Sequence, residues 1–273
     1  MSTNHLLRTH APISDGNWST IDSEATERLS AALGARKLVD FAGPHGWDYS
    51  ATNLGRVTTV QQAPVKGVRA RQRQVLPLVE ARVGFSLSRD ELLDDDRGAA
   101  DADLGSLDDA AYQMASLENI AVFHGWSEVG IQGIAEVTPH PHIDPVPDIE
   151  DYRRRVAKAV KLLHTSGIDG PYALALGPSD FTAIMETSEH GGFPLFDHVR
   201  KILGGPIVWT PGVRGGVVLS LRGGDFLFES GEDLAVGYDH HDGQDVFLYL
   251  EQSFSFRVAT PEAAVVLAST GDS

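Results

Sequence analysis

A chain of 273 residues with 42% hydrophobic and 22% charged side chains can bury a full core and has an ordinary globular balance. Its formal charge of −16 argues against nucleic acid or an anionic membrane as a direct partner, since both would repel it. The absence of cysteine excludes disulfides, thiolate zinc sites and a cysteine nucleophile, and no apolar run approaches the roughly 18 residues that span a bilayer.

The start, Met1 to His10, lacks the apolar run of a signal peptide. With no cysteine to oxidise, this fits a reducing cytoplasm. Trp18, Ile21, Ala25 and Leu29 recur at helical spacing and predict an amphipathic helix from about Asn17 to Leu33, which Gly34 can end. Arg36 to Phe41 reads as a short strand and Gly43-Pro-His-Gly46 as a turn.

Residues from about Asp48 to Leu87 read as extended. Val79, Ala81, Val83, Phe85 and Leu87 share one face of a strand. The stretch before them, Val60 to Val75, is polar, carries Arg69, Arg71 and Arg73, and has little to bury. A hairpin without its own core is either a loose surface feature or an arm that finds a neighbouring subunit.

Ser106 and Asp109 form a capping-box-like start to a helix whose apolar face is Leu107, Ala110, Ala111, Met114, Leu117, Ile120 and Ala121. The proline-rich connector from Pro139 to Pro147 marks a subdomain boundary. Ile149, Tyr152, Val156, Val160 and Leu163 build another helix, closed by Gly167. Tyr172 to Val218 reads as a compact α/β unit, with a loop Glu186–Pro194 between two helices. The final strand is the most regular element. Between Val246 and Val258 every second residue is apolar on one face, with only Gln252 interrupting.

Chemistry-bearing residues are few. His140, His142 and Asp144 sit among prolines, and Asp239, His240, His241 and Asp242 sit at an Asp242-Gly243 turn, where such residues collect for conformational reasons. Asp94, Asp95 and Asp96 read as a solvated charge run. Arg222-Gly-Gly-Asp and Gly204-Gly-Pro lack the context of a phosphate loop, and no nucleophile elbow or His-Glu-x-x-His appears. No catalytic residue, metal or cofactor is expected. A metal-dependent hydrolase using His140, His142 or His240 is the enzymatic alternative.

Taken together, the segments resemble the encapsulins, shell proteins of bacterial nanocompartments. The resemblance is carried by Leu6-Leu-Arg, Ala11-Pro12, Trp18, Ile21-Asp22, Gly34-Ala-Arg-Lys-Leu-Val-Asp-Phe41, Gly43-Pro-His-Gly-Trp47, Pro77-Leu78 and Phe123-His-Gly125. It continues through Gly170-Pro-Tyr172, Arg222-Gly-Gly-Asp-Phe226, Gly231-Glu-Asp-Leu-Ala-Val-Gly-Tyr238 and the final strand.

It implies an α+β fold of the tailed-phage major capsid protein (Hong Kong 97) type. The expected parts are residues 1–47 as N-terminal helix and start of the peripheral domain, 48–78 as extended loop and 79–132 as peripheral domain with the spine helix. Residues 133–221 would be the axial domain and 222–273 a return to the peripheral domain. The resemblance further implies a closed icosahedral shell of about sixty copies or a larger multiple. Inside would be a cargo enzyme, a dye-decolorising peroxidase or a ferritin-like protein, giving a role in iron storage or oxidative-stress defence. The cargo would be held by a C-terminal targeting peptide. Ile21, Ala25 and Leu29 would floor the docking groove, and Arg36, Asp40 and Asp233 would anchor it. The plainer alternative is ordinary core for the first three and an Arg36–Asp40 ion pair. Glu186, Thr187, Ser188, Glu189, His190, Gly191 and Gly192 would line a five-fold pore. Asp90 stands where some relatives place a flavin-stacking tryptophan, so no flavin is expected. A phage capsid protein shares the fold, but capsid precursors often carry a long scaffolding segment before the first helix, which here begins by about Asn17.

Overall fold

The computed structural model describes residues 5–145, 148–188, 192 and 194–269. Helix α1 (Asp15–Ala32) begins where the Ser14 hydroxyl accepts from the Asn17 amide at 3.1 Å. Gly34 does not end it by a left-handed turn, because its φ of −66° is ordinary right-handed backbone. What Gly34 supplies is space, since a Cβ there would lie 2.7 Å from the Thr210 hydroxyl. The expected strand Arg36–Phe41 is a 3-10 turn, Ala35–Lys37, followed by the short β1 (Asp40–Ala42). The turn is set by a distant side chain, because the Ala35 amide donates to Asn119 Oδ1 at 2.9 Å.

Strands β2 (Ala51–Val60) and β3 (Ala70–Pro77) pair only with each other, as a hairpin exposed along most of both strands. Then come β4 (Val79–Ser88), α2 (Arg89–Asp96) and the long helix α3 (Gly105–Phe123). Ser106 is not its cap. Its hydroxyl donates to the Ser86 carbonyl at 2.5 Å and ties the helix to β4, while Asp103 Oδ1 accepts from the Gly105 amide. The chain continues through α4 (Ile134–Val137), α5 (Tyr152–Thr165), β5 (Tyr172–Leu176), α6 (Pro178–Glu186), α7 (Leu195–Leu203), β6 (Ile207–Trp209) and β7 (Gly216–Ser220). It ends with β8 (Phe226–Ser230), β9 (Ala235–His241), β10 (Asp245–Val258) and β11 (Ala264–Leu267).

The first sheet runs β1-β8-β10-β4, and β10 is its axis. One edge of β10 pairs with β4 from Asp245 to Phe254; the other takes β9 from Val246 to Glu251 and β8 from Phe254 to Val258. Both of its faces are covered. Of the apolar row, Val246, Leu248 and Leu250 pack in the cluster that includes α1 and α3, and Phe254 and Phe256 pack in the cluster of the second sheet. Against the other row, Ser255 meets Thr52 at 2.7 Å and the Ser253 hydroxyl accepts from the Glu232 amide at 2.8 Å. Nearby, the N-terminal segment lies across β9, where Leu6 accepts from the Tyr238 amide at 2.8 Å. His5 stacks on Trp47 with ring centroids 4.1 Å apart. Polar residues such as Glu251, Ser253 and Ser255 are therefore buried.

The second sheet runs β11-β7-β5-β6 and carries α5, α6 and α7. Its outer strand β11 comes from the last part of the chain. Residues 222–258 do return to the first sheet, but Ala264-Val-Val-Leu267 crosses back to pair antiparallel with β7. All four residues are apolar and buried, so only a sheet edge covered on both faces can hold them. The connector 139–147, of which 146 and 147 lie outside the described residues, is likewise tied in. Ile143 bridges to Leu267, and Arg155 donates to the carbonyls of Ile143 and Ala268. Two apolar clusters result. One joins α1, β4, α3, β9 and the start of β10; the other joins the second sheet with Phe123 of α3 and Phe254 and Phe256 of β10.

Candidate functional site

The buried polar centre of the molecule is built around Arg36. Its Nε and Nη2 donate to both oxygens of Glu118 at 2.8–3.0 Å, its Nη1 to Asp233 at 2.7 Å and its Nη2 to Gln252 Oε1 at 3.0 Å. These partners come from α3, the β8–β9 connection and β10, and the guanidinium also lies over the rings of Phe41 and Phe228. Glu118 has no solvent exposure. Burial pushes its carboxyl above the ordinary range, with Arg36 pulling the other way. For Arg36, burial opposes the charge, but Glu118 and Asp233 outweigh it and raise its pKa.

Beside this node, Asn119 uses all of its amide. It accepts from Ala35 and donates to the carbonyls of Ala32 and Pro211 at 3.0 and 2.9 Å. Sequence reasoning missed Glu118 and Asn119. One signal was visible, for Gln252 is the single break in the apolar row of β10, and it is the residue that reaches Arg36.

Of the expected docking residues, the structure gathers Arg36 and Asp233 directly. Asp40 is not Arg36's partner; it is exposed and accepts from the Gly224 amide at 2.7 Å. Ile21, Ala25 and Leu29 are 1%, 5% and 6% exposed and pack in the core cluster that includes α3. Their side chains are covered by that packing and present little surface of their own. The accessible apolar surface near the node is instead Phe41, 37% exposed on the edge strand β1 and stacked on Phe228 at 5.5 Å.

The expected pore segment connects α6 to α7. Glu186 ends α6, the Thr187 hydroxyl donates to the Ala183 carbonyl at 2.7 Å, and Ser188 bridges to Pro194, closing the base of the loop. Gly192 has a φ of +79°, which glycine adopts without strain. Glu189, His190 and Gly191 lie outside the described residues.

The histidine groups do not converge. His140 meets the Glu262 carbonyl, His241 meets the Tyr238 hydroxyl, and His240 stacks on Phe247. Among the described residues no three His, Asp or Glu side chains are placed to hold a metal ion, and no helix is long and apolar enough to cross a membrane.

A family model described as "Encapsulating protein for peroxidase" matches residues 3–255. The chain is 44% identical to the type 1 encapsulin shell protein of Rhodospirillum rubrum, over 97% of this chain and 96% of that one. It is 39% identical to that of Rhodococcus erythropolis and 36% to that of Mycobacterium tuberculosis, each over 97% of this chain and 99% of the relative. In fold it is similar to a virus-like particle subunit from Pyrococcus furiosus, with a TM-score of 0.62 at 17% identity over 92% of this chain and 98% of that one. It is also similar to a chain of Mycobacterium phage Bobi, with a TM-score of 0.55 at 14% identity over 89% of this chain and 91% of that one. The fold is thus that of the phage capsid proteins.

Proposed function

The chain belongs to the encapsulin family of shell proteins, and on that premise we propose that its copies close into an icosahedral compartment of about sixty subunits or a larger multiple. It is a structural protein that forms a capsid-like compartment. The observation that carries closure is the β2–β3 hairpin. It projects with Val57, Val60, Val65, Val68 and Val75 at 41–64% exposure and has no core of its own. An isolated two-stranded sheet is marginal in water, so this arm gains a settled form by lying on a neighbour.

We further propose that the compartment is cytoplasmic and encloses a peroxidase or ferritin-like enzyme, for iron storage or defence against oxidants. The cargo's targeting peptide docks over exposed Phe41, with Asp40 and Asp233 as polar anchors. Arg36 holds Asp233 in place, and the buried Ile21, Ala25 and Leu29 fix α1 beside it. The α6–α7 loop, residues 186–192, lines an opening at the five-fold axis.

Electron microscopy of the chain produced alone tests the shell: uniform hollow particles are expected, and a monomer at every concentration ends the reading. Purification of the shell from its native host, followed by mass spectrometry of its contents, tests the cargo. Phe41→Ala should then give intact but poorly loaded shells, and full loading would remove Phe41 from the docking surface.

A further inference from the structure

The arm differs in charge from the rest of the chain. Between Ala51 and Leu78 stand Arg56, Lys66, Arg69, Arg71 and Arg73, with no Asp or Glu. Of 22 basic and 38 acidic residues, the remainder keeps 17 against 38, a net −21 beside the arm's +5. Among the described residues none of the five enters an ion pair, and Arg73 reaches only the Asn53 amide oxygen at 3.5 Å. The cations are also ordered. The period of a strand puts Arg71, Arg73 and Val75 on one face of β3, and the register sets Thr59 and Val57 opposite Arg71 and Arg73. One face of the hairpin is therefore a cationic rim around exposed valines, with no acidic partner for it among the described residues.

Subunits of net −16 repel one another at close approach. We propose that the cationic face of the arm seats on the acidic surface of a second copy and supplies the electrostatic attraction that lets such subunits assemble. A polyanion such as nucleic acid would meet the same rim, but it would also face the −21 body of the subunit. The acidic surface of a second copy carries the complementary charge without that conflict. This rests on the shell reading above and deepens it, from an arm that touches a neighbour to an arm whose charge drives the contact.

Salt acts on this in two opposed ways: it weakens the arm's attraction and it relieves the repulsion between bodies. Variants separate the two. R69Q/R71Q/R73Q removes three charges from the arm and leaves its valines; R154Q/K158Q/K161Q on α5 makes the same change in net charge elsewhere, at exposed positions. Assembly of the full chain is followed by light scattering and microscopy from about 0.01 M to about 1 M NaCl, across which the screening length falls from about 30 Å to about 3 Å. Wild type is expected to form particles at low salt. The arm variant should need about tenfold more protein there and recover as salt rises, while the α5 variant stays within about twofold of wild type. An arm variant that assembles like wild type, or an α5 variant that fails equally, overturns the proposal and leaves the shell reading standing. An arm variant that keeps its particles but loses bound nucleic acid, read by absorbance, overturns it in favour of that occupant. A wild-type chain with no particles at any salt overturns the shell reading itself and this inference with it.

Discussion

Arg36 and Glu118 face each other as a forked ion pair, two guanidinium nitrogens on one fully buried carboxylate at 2.8–3.0 Å, across 82 residues of sequence. Such a pair is costly to break from one side, because the partner left behind is a desolvated, unmatched charge. Glu118→Ala or Arg36→Met should each destabilise the fold by about 3–5 kcal/mol, whereas the double change R36M/E118L should recover most of that loss. Denaturant unfolding at fixed protein concentration reads both. A double variant as unstable as the singles would mean the node also positions something beyond itself.

Asn119 satisfies three backbone groups at once, at the end of α1, at the Ala35 turn and at Pro211. Asn119→Asp preserves the shape but turns the donor into a second acceptor aimed at two carbonyls. A loss of about 2–4 kcal/mol is expected, since each stranded buried polar group costs about 1–3 kcal/mol. Thermal unfolding would show it, and an unchanged midpoint would mean that water replaces the amide.

At the β9–β10 turn the Asp242 carboxylate accepts from the Gln244 and Asp245 amides, both at 2.8 Å, and the Asp245 and Gln244 backbone bonds hold its pKa below the ordinary carboxylate range. The sign follows from linkage: a depressed folded-state pKa gives stability that is present above the unfolded pKa and lost as pH falls through the folded one. Amide protection at Gln244 and Asp245 should therefore fall in acid, below the range where a free aspartate titrates. In Asp242→Asn that pH dependence should vanish.

If the β2–β3 hairpin interlocks subunits, replacing residues 55–73 by a two-residue Asn-Gly turn should leave a folded subunit that no longer assembles. The base of the arm would survive, since Ala51, Thr52 and Asn53 still pair with Pro77, Leu76 and Val75, and Thr52 still meets Ser255. Sedimentation should give a single subunit with its remaining secondary structure intact by circular dichroism. Particles formed by the shortened chain would show the arm to be dispensable.

The local elements were legible because local geometry writes a period into the sequence. The row Trp18, Ile21, Ala25, Leu29 marked a helix face, the alternation from Val246 to Val258 marked a long strand, and the apolar-poor stretch around Arg69–Arg73 marked a hairpin with no core of its own. Periodicity also showed that something unusual happens at Gln252, where polarity interrupts a buried row. The resemblance to a shell family came from residues scattered along nearly the whole chain, and the fold agrees with it.

Which residues meet across the chain was not legible, because such pairings depend on packing between elements far apart in sequence. Arg36 could be seen as an ionic residue, but only the folded chain brings it to Glu118, Asp233 and Gln252, across 82, 197 and 216 residues, instead of to nearby Asp40. The spacing of Ile21, Ala25 and Leu29 defined an apolar face without saying whether a peptide or α3 would cover it. Likewise Glu251, Ser253 and Ser255 of β10 are buried only because the chain near Thr52 and Glu232 packs across them. A sequence fixes which faces are apolar and which groups are charged; the tertiary structure alone selects, among the partners that would satisfy them, those that can be brought within bonding distance together.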